Sequence, residues 1–483
     1  MQEPSVKKNF IYSVAYQILS VLTPFITAPY VSRVLGAEGI GIVSYTSSVQ
    51  TYFLMIAALG LQTYGSREVS IHRNDPYMRS KLFWELELLR GATTLIVAIG
   101  WIILCLTSTK YRIYYSVLTI NIILSIFEIT WFFAGIEQFR LTVMRNCFFK
   151  IVSIVCLFTF IKSKDDLFLY VLINSITIIF NNLSLWPYLK PFLVKVNPRD
   201  FEYKIHLKKS MVYFVPTIAT TVYTVLDKTL LGLITDEATQ IGYYQQAEKI
   251  IDLSKGVVFT AINTVVSVRN AYLFAERRYD EIRKRIETSL HFIFFMGFGC
   301  CFGIMGVAET FVPLFFGPGY EPVVELLYIF SPIVVIIGIS NCLAAQYYTP
   351  SGKQQQSTNY LIVGSVVNLC LNLLLIPRLG SVGAAVASVT AETAISILHV
   401  KFSDGYGTVS LLVSTSVKKL IAGIIMFFVV YQMNALPMFS AIRLVLQVCS
   451  GVAVYGLTLL LLGDAWTKEM CAQTIAKVLK KSE

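Results

Sequence analysis

The sequence predicts an all-α polytopic membrane protein of about fourteen transmembrane helices, built as two parallel six-helix lobes with two C-terminal helices appended. Three observations carry this reading. A soluble domain holds about 25% charged residues, whereas this 483-residue chain holds 14%, with 55% hydrophobic residues and a mean hydropathy of +0.65. The apolar residues gather into runs of the ~20 residues that a hydrocarbon core requires. The basic residues then alternate from one loop to the next, as they do where loops fall on opposite sides of a bilayer.

Taken in order, the runs fall at 10–33, 39–61, 83–106, 113–133, 146–162, 167–188, 211–234, 242–268, 288–316, 323–346, 358–377, 380–400, 415–433 and 442–463. They are continuous rather than alternating, which excludes a transmembrane β-barrel. Lys7 and Lys8 precede the first run, which is too long for the apolar region of a cleaved signal and reads as a retained span. Of 40 Lys and Arg, 29 lie in loops on the side of the N-terminus and 7 on the opposite side, and the rest lie within spans or at their edges. That asymmetry places both termini in the cytoplasm. It also accounts for the net charge of +11 without nucleic acid. Nine cysteines without a C-x-x-C pair and four scattered histidines indicate neither a disulfide framework nor a metal site.

An internal repeat organises the spans. Lys7-Lys8 matches Lys208-Lys209, Tyr12 matches Tyr213, and Ile40-Gly41 matches Ile241-Gly242, always 201 residues apart. Six spans per copy is an even number, so the copies share one orientation, a plan used by secondary transporters. The division is an N-lobe over 1–200, a C-lobe over 201–402, and two further spans with a tail over 403–483.

Polar residues inside a bilayer must face protein or a water-filled cavity. On the first span Asn9, Ser13, Tyr16, Gln17, Ser20, Pro24 and Thr27 share an arc of roughly 100°. The seventh repeats the face with Ser210, Tyr213, Thr217, Thr220, Thr221, Thr224 and Lys228. The second adds Ser44, Ser48, Thr51 and Tyr52, and the eighth adds Gln245, Glu248, Asp252, Lys255 and Asn263. These four faces predict a hydrophilic cleft between the lobes. Single hydroxyls suit helix packing as well. A charge at mid-membrane costs about 2.5–3.5 kcal/mol, so Lys228 and the Glu248/Asp252/Lys255 set point to function. The sequence equally allows Asp227 or Lys228 to pair with Lys249 or Glu248. Elsewhere, Glu85, Glu87 and Arg90 predict a structural i,i+3 pair, Glu128 and Glu392 stand alone, and Asn368 and Asn372 predict a bond between helices.

Several motifs occur in order along the chain: Ala28-Pro29-Tyr30-Val31-Ser32-Arg33-Val34-Leu35-Gly36, Gly39-Ile40-Gly41, and Leu59-Gly60-Leu61-Gln62-Thr63-Tyr64-Gly65-Ser66-Arg67-Glu68. They are followed by Trp131 to Phe139, Asp227-Lys228, Phe316-Gly317-Pro318-Gly319-Tyr320, and Asn372 through Pro377 to Gly383-Ala384-Ala385. This set resembles the Wzx-type polysaccharide flippases of the multidrug/oligosaccharidyl-lipid/polysaccharide exporter superfamily. The resemblance implies a V-shaped bundle of two lobes in the bacterial cytoplasmic membrane. It further implies translocation of undecaprenyl-pyrophosphate-linked sugar repeat units by alternating access, without ATP hydrolysis, and it brings in membrane lipids and the polysaccharide polymerase machinery as partners. The chain has no P-loop, which agrees with a secondary mechanism. No cofactor is implied, and a proton or sodium gradient is the energy source in view.

Such a cargo needs hydroxyl and amide partners for its glycan and positive charge for its diphosphate. Gln17, Ser48, Thr221 and Asn263 are candidates for the first need, and Arg33, Lys228, Lys249 and Lys255 for the second, with Arg67 at the cytoplasmic mouth. Asp227, Glu248 and Asp252 are candidates for ion coupling, because an acid that changes charge can bias one lobe arrangement over another. A multidrug cation exporter predicts an acidic, aromatic cleft, whereas lysines favour an anionic cargo. A lipid II flippase has the same head-group chemistry but predicts several arginines on the first two spans, where only Arg33 stands. A glycan polymerase predicts a large outward loop, and the outward loops are short. The chain therefore reads as a transporter rather than an enzyme.

Overall fold

The computed structural model describes the backbone of residues 6–482 and the side chains of 19, 20, 22–256, 258 and 270–473. Among the described residues all regular structure is helical: α1 (Val6–Ala58), α2 (Leu61–Ile71), α3 (Pro76–Thr107), α4 (Arg112–Leu124), α5 (Thr130–Gly135), α6 (Phe139–Phe160), α7 (Leu167–Leu183) and α8 (Tyr203–Ile234). The order continues with α9 (Ala238–Ala275), α10 (Tyr279–Phe316), α11 (Pro322–Phe330), α12 (Ile333–Leu343), α13 (Gln354–Lys401), α14 (Val409–Gln432), α15 (Ser440–Leu461) and α16 (Ala465–Ser482).

Among the described residues the helices trace fourteen spans, although not one to a helix. α1 carries two spans that meet at Gly36 (φ 70°), and α13 carries two that meet at Gly380 (φ 56°). Both turns sit in the left-handed region that favours glycine. The fourth span is broken between α4 and α5, whereas the tenth only bends between α11 and α12 at Ser331-Pro332, with helical dihedrals at both residues. These are equivalent spans of the two repeats.

A break inside hydrocarbon frees carbonyls that must find donors. At the break in the fourth span Trp186 Nε1 donates to the Phe127 carbonyl at 3.0 Å, while the Arg90 guanidinium bonds the Glu128 carbonyl and reaches its carboxylate at 3.0 Å. The i,i+3 pair expected between Glu87 and Arg90 is therefore not made. Arg90 turns to Glu128, which is not isolated, because the break offers both a carbonyl and a carboxylate. Glu87, only 5% exposed, has no hydrogen-bond partner among the described residues. Asn368 and Asn372 bond each other along α13 at 3.0 Å.

The chain forms two compact units, 1–242 and 243–483. The repeat divides the sequence at 200, before α8, whereas the first unit runs on to 242 because α8 and the start of α9 pack with α1. The point of contact is reciprocal. A Cβ on Gly41 would lie 1.6 Å from the Ala238 carbonyl oxygen, and one on Gly242 would lie 1.9 Å from that of Ala37. Residues 37 and 238, like 41 and 242, are 201 apart, so each repeat presents the same glycine to the same carbonyl of the other. Such self-complementary contact is what two-fold symmetry produces.

The rest of the first unit is anchored at the other end of α8. Tyr64, Phe83, Trp131, Phe132 and Phe133 form a buried aromatic core. Gly65 lies so close to the Trp131 ring that a Cβ would meet it at 2.6 Å. Two of the sequence motifs are thus each other's packing partners. Glu85, which can only accept, takes a bond from His206 Nε2 at 3.0 Å, so Nδ1 accepts from the Tyr64 hydroxyl at 2.7 Å.

In the second unit α14 and α15 pack on α10 through Ala422, Met426, Val430, Tyr455 and Leu459, with Phe295 and Phe302 at the margin. A fully buried lysine fixes their basic-loop end. Lys419 is 0% exposed, and its three ammonium protons face the Asp464 carboxylate at 2.9 Å, the Thr415 carbonyl at 3.1 Å and His291 Nδ1 at 3.1 Å. Asp464 also caps the start of α16 by accepting from the Thr467 amide at 2.8 Å.

Removing one member of a buried pair strands the other charge. Lys419→Ala is therefore expected to lower stability by about 3–5 kcal/mol; an unchanged thermal midpoint of the purified protein in detergent would contradict the assignment. Gly41→Ala is expected to lower the midpoint, because backbone must move to admit the methyl. Gly456→Ala, whose Cβ meets nothing within 4 Å, should leave it unchanged or raise it by up to about 1 kcal/mol of helix propensity.

Candidate functional site: a hydroxylated face on α1, α6 and α8

Within the first unit the polar faces of α1 and α8 carry rows of threonines whose protons are already committed. Thr23 donates to the Leu19 carbonyl at 2.7 Å, Thr27 to Thr23 at 3.0 Å, Thr217 to Tyr213 at 2.9 Å and Thr220 to Pro216 at 3.1 Å. A hydroxyl bonded back to its own helix is satisfied inside a bilayer. It still offers lone pairs, which accept from a sugar hydroxyl. Thr221 is half-buried on the same helix, and its carbonyl accepts from Thr224 at 3.0 Å.

The second half of α1 joins α8 through Ser48 and Thr229, whose hydroxyls are 3.0 Å apart. Asp227 is buried two residues before this tie, and Lys228 beside it is half-buried. Arg33 is exposed three residues before the Gly36 turn. Arg67, on α2, donates to the Tyr213 hydroxyl at 2.6 Å, so its guanidinium is drawn to the start of the α8 polar face.

One cation escaped the sequence reading. Lys150 falls among the 29 basic residues assigned to the cytoplasmic side, yet it lies midway along α6 (Phe139–Phe160) and its ammonium reaches Ser20 on α1 at 3.2 Å. The signal available was its neighbourhood: apolar residues flank it on both sides. Nearby, Arg145 donates to the Asn181 carbonyl at 2.6 Å and to Asn146 at 2.9 Å. At the opposite end of the unit Lys110 binds the Asp236 carboxylate at 2.5 Å, and that bond holds the lysine above its ordinary pKa.

The second unit carries the remaining candidates on α9. Lys255 pairs with Asp252 at 3.0 Å one turn away, with the acid 58% exposed. Gln245 reaches Glu248 at 3.3 Å, and Glu248 and Lys249 are both half-buried. The Lys255–Asp252 pair is made along the helix and stays accessible, which differs from a dry structural pair. Gln17 and Asn263 lie outside the described side chains. Among the described residues no three His, Cys, Asp or Glu side chains cluster closely enough to hold a metal ion.

Fold and sequence comparisons converge on one class. The solved structure of the lipid II flippase MurJ in an inward closed conformation superposes with a TM-score of 0.71 at 15% identity, covering 93% of this chain and 97% of that one. An inward-facing multidrug resistance MATE family transporter of the MOP superfamily superposes at 0.61 with 12% identity, covering 87% and 96%. The chain thus shares the helical fold of these two solved structures. The model of the polysaccharide biosynthesis protein family matches residues 6–267, more than half the chain, and the protein belongs to that family. A curated protein of Escherichia coli (strain K12) named as an O-antigen transporter is 22% identical over 407 residues, 82% of this chain and 96% of that protein. Its counterpart of the same name from Shigella dysenteriae is 21% identical over 408 residues, covering 82% and 99%.

Proposed function

We propose that this protein moves undecaprenyl-diphosphate-linked oligosaccharide repeat units from the inner to the outer leaflet of a bacterial cytoplasmic membrane, for capsule, O-antigen or exopolysaccharide synthesis. Membership of the polysaccharide biosynthesis family, with near full-length similarity to O-antigen transporters, carries the proposal. The hydroxylated, lysine-bearing faces supply the chemistry: threonine lone pairs accept from the glycan, and Lys228, Lys150, Lys249 and Lys255 neutralise the diphosphate, with Arg33 and Arg67 at the two ends of the path. The lipid tail stays in hydrocarbon throughout.

Asp227, Glu248 and Asp252 would couple transport to a proton or sodium gradient, since a carboxylate changes charge on binding either ion. Both termini are placed in the cytoplasm by the loop charges. In each cycle the contact between α1 and α8 would part and re-form. A second reading, lipid II export for peptidoglycan, draws on the likeness to the MurJ structure, and the two cargoes share a polyprenyl diphosphate head.

Complementation separates these readings. The gene is expected to restore surface polysaccharide in a bacterium lacking its own repeat-unit flippase and to fail in one depleted of its lipid II flippase; the reverse pattern overturns the proposal. Lys228→Ala and Lys255→Ala are each expected to abolish surface polysaccharide at normal membrane abundance, and Lys150→Ala to reduce it. Normal polysaccharide in all three would remove these lysines from the path.

A further inference from the structure

Away from the transport faces, the second unit holds an open cleft of about 680 Å³ between the α9–α10 turn and the loop after α13. Arg277, Arg278 and Arg283 line it with Tyr279 and Tyr406, and Asp280, Glu281 and Asp404 contribute acids. The acids are largely spoken for. Glu281 is held by Arg278 at 2.5 Å and Arg285 at 3.2 Å. Asp404 accepts from Tyr347 at 2.6 Å and pairs with Lys353, which keeps its carboxyl below the ordinary range. Asp280 stands 3.9 Å from Arg283, at the limit of an ion pair.

Two guanidiniums are left to face the cleft. Arg283 lies over the Tyr406 ring at 5.4 Å, an arrangement that orients its planar fork without consuming it. Arg277 makes no ion pair or side-chain hydrogen bond among the described residues. Its backbone is left-handed, with φ 56°, a conformation glycine would adopt without strain. This left-handed residue closes α9, with the Arg278 amide bonded to the Leu273 carbonyl at 3.0 Å. Depth points to the ligand. The apolar run of α10 begins near residue 288, so Arg283 lies about 7 Å beyond it at 1.5 Å per residue. That is the level of the lipid headgroups, a layer of roughly 5–8 Å on each face. Paired tyrosines suit the same layer.

We propose that this cleft binds the phosphate of an anionic membrane phospholipid from the leaflet beside the basic loops, gripped by Arg277 and Arg283 and flanked by Tyr279 and Tyr406. A free phosphate monoester shares the chemistry, but the headgroup depth favours the lipid. Bound there, the lipid would clamp the α9–α10 turn to the loop after α13, and basic pockets of this kind select anionic lipids. The proposal stands on membrane insertion and not on the cargo.

The test uses the full-length protein in detergent, titrated with phosphatidylglycerol, phosphatidylcholine or soluble glycerol 3-phosphate and followed by thermal midpoint and by native mass spectrometry. Phosphatidylglycerol is expected to raise the midpoint and stay bound, and the other two are not. Arg277→Gly, which removes the cation while relieving the backbone, and Arg283→Gln should each weaken apparent phosphatidylglycerol affinity by about fivefold. Equal response to phosphatidylcholine, wild-type affinity in both variants, or a matching response to glycerol 3-phosphate would each overturn the proposal.

Discussion

Hydrocarbon offers no hydrogen bonds, and that constraint decides where this chain is allowed to stop being helical. It turns at Gly36 and Gly380, where positive φ comes without strain, and it breaks in the fourth span, whereas the tenth only bends at Ser331-Pro332 with helical dihedrals at both residues. At the fourth-span break the freed carbonyls are taken by Arg90 and Trp186. Arg90 therefore works for the backbone and is unavailable to a cargo. Lys419 follows the same logic, with each of its protons placed on an acceptor supplied by α10, α14 or the α15–α16 turn. A charge within a span earns a transport role only after its structural partners have been counted.

Symmetry adds a second layer. The glycines at 41 and 242 let two copies of one motif touch backbone to backbone, with no side chain between them. Ser48 and Thr229 add a contact of short hydroxyls, and beside it the Tyr45 ring lies so close to Gly232 of α8 that a Cβ would meet it at 2.1 Å. Close approach through small residues is how membrane helices associate without a hydrophobic driving force. On α8 that contact lies on the same helix as the threonine face proposed to meet the glycan.

Much of this was legible in the sequence, for identifiable reasons. Hydropathy and loop charge are long-range averages, and they gave the fourteen spans even where α1 and α13 each run through two. The 201-residue offset marked Gly41 and Gly242 as equivalent positions, but that the two copies touch there is visible only in the structure. Partner choice was not legible. Spacing allowed Glu87 to pair with Arg90, but a helix break 38 residues further on supplied a better acceptor in Glu128. Lys150 lies inside the apolar run 146–162, yet the loop-charge tally set it with the neighbouring basic residues, and α6, which starts at Phe139, places it well within the helix. The chain from Tyr64 through His206 to Glu85 joins three elements distant in sequence, and no local pattern announces it.

The account turns on the α1–α8 seam opening each time a cargo crosses. Ser48 and Thr229 place their hydroxyl oxygens 3.0 Å apart there, so paired cysteines at these positions can be joined by a mild oxidant. Surface polysaccharide should be made by the reduced Ser48→Cys/Thr229→Cys protein, cease on oxidation, and return with a reductant, while each single variant ignores the oxidant. Undiminished export from fully cross-linked protein would show that the seam stays closed during transport, and the mechanism described would be wrong.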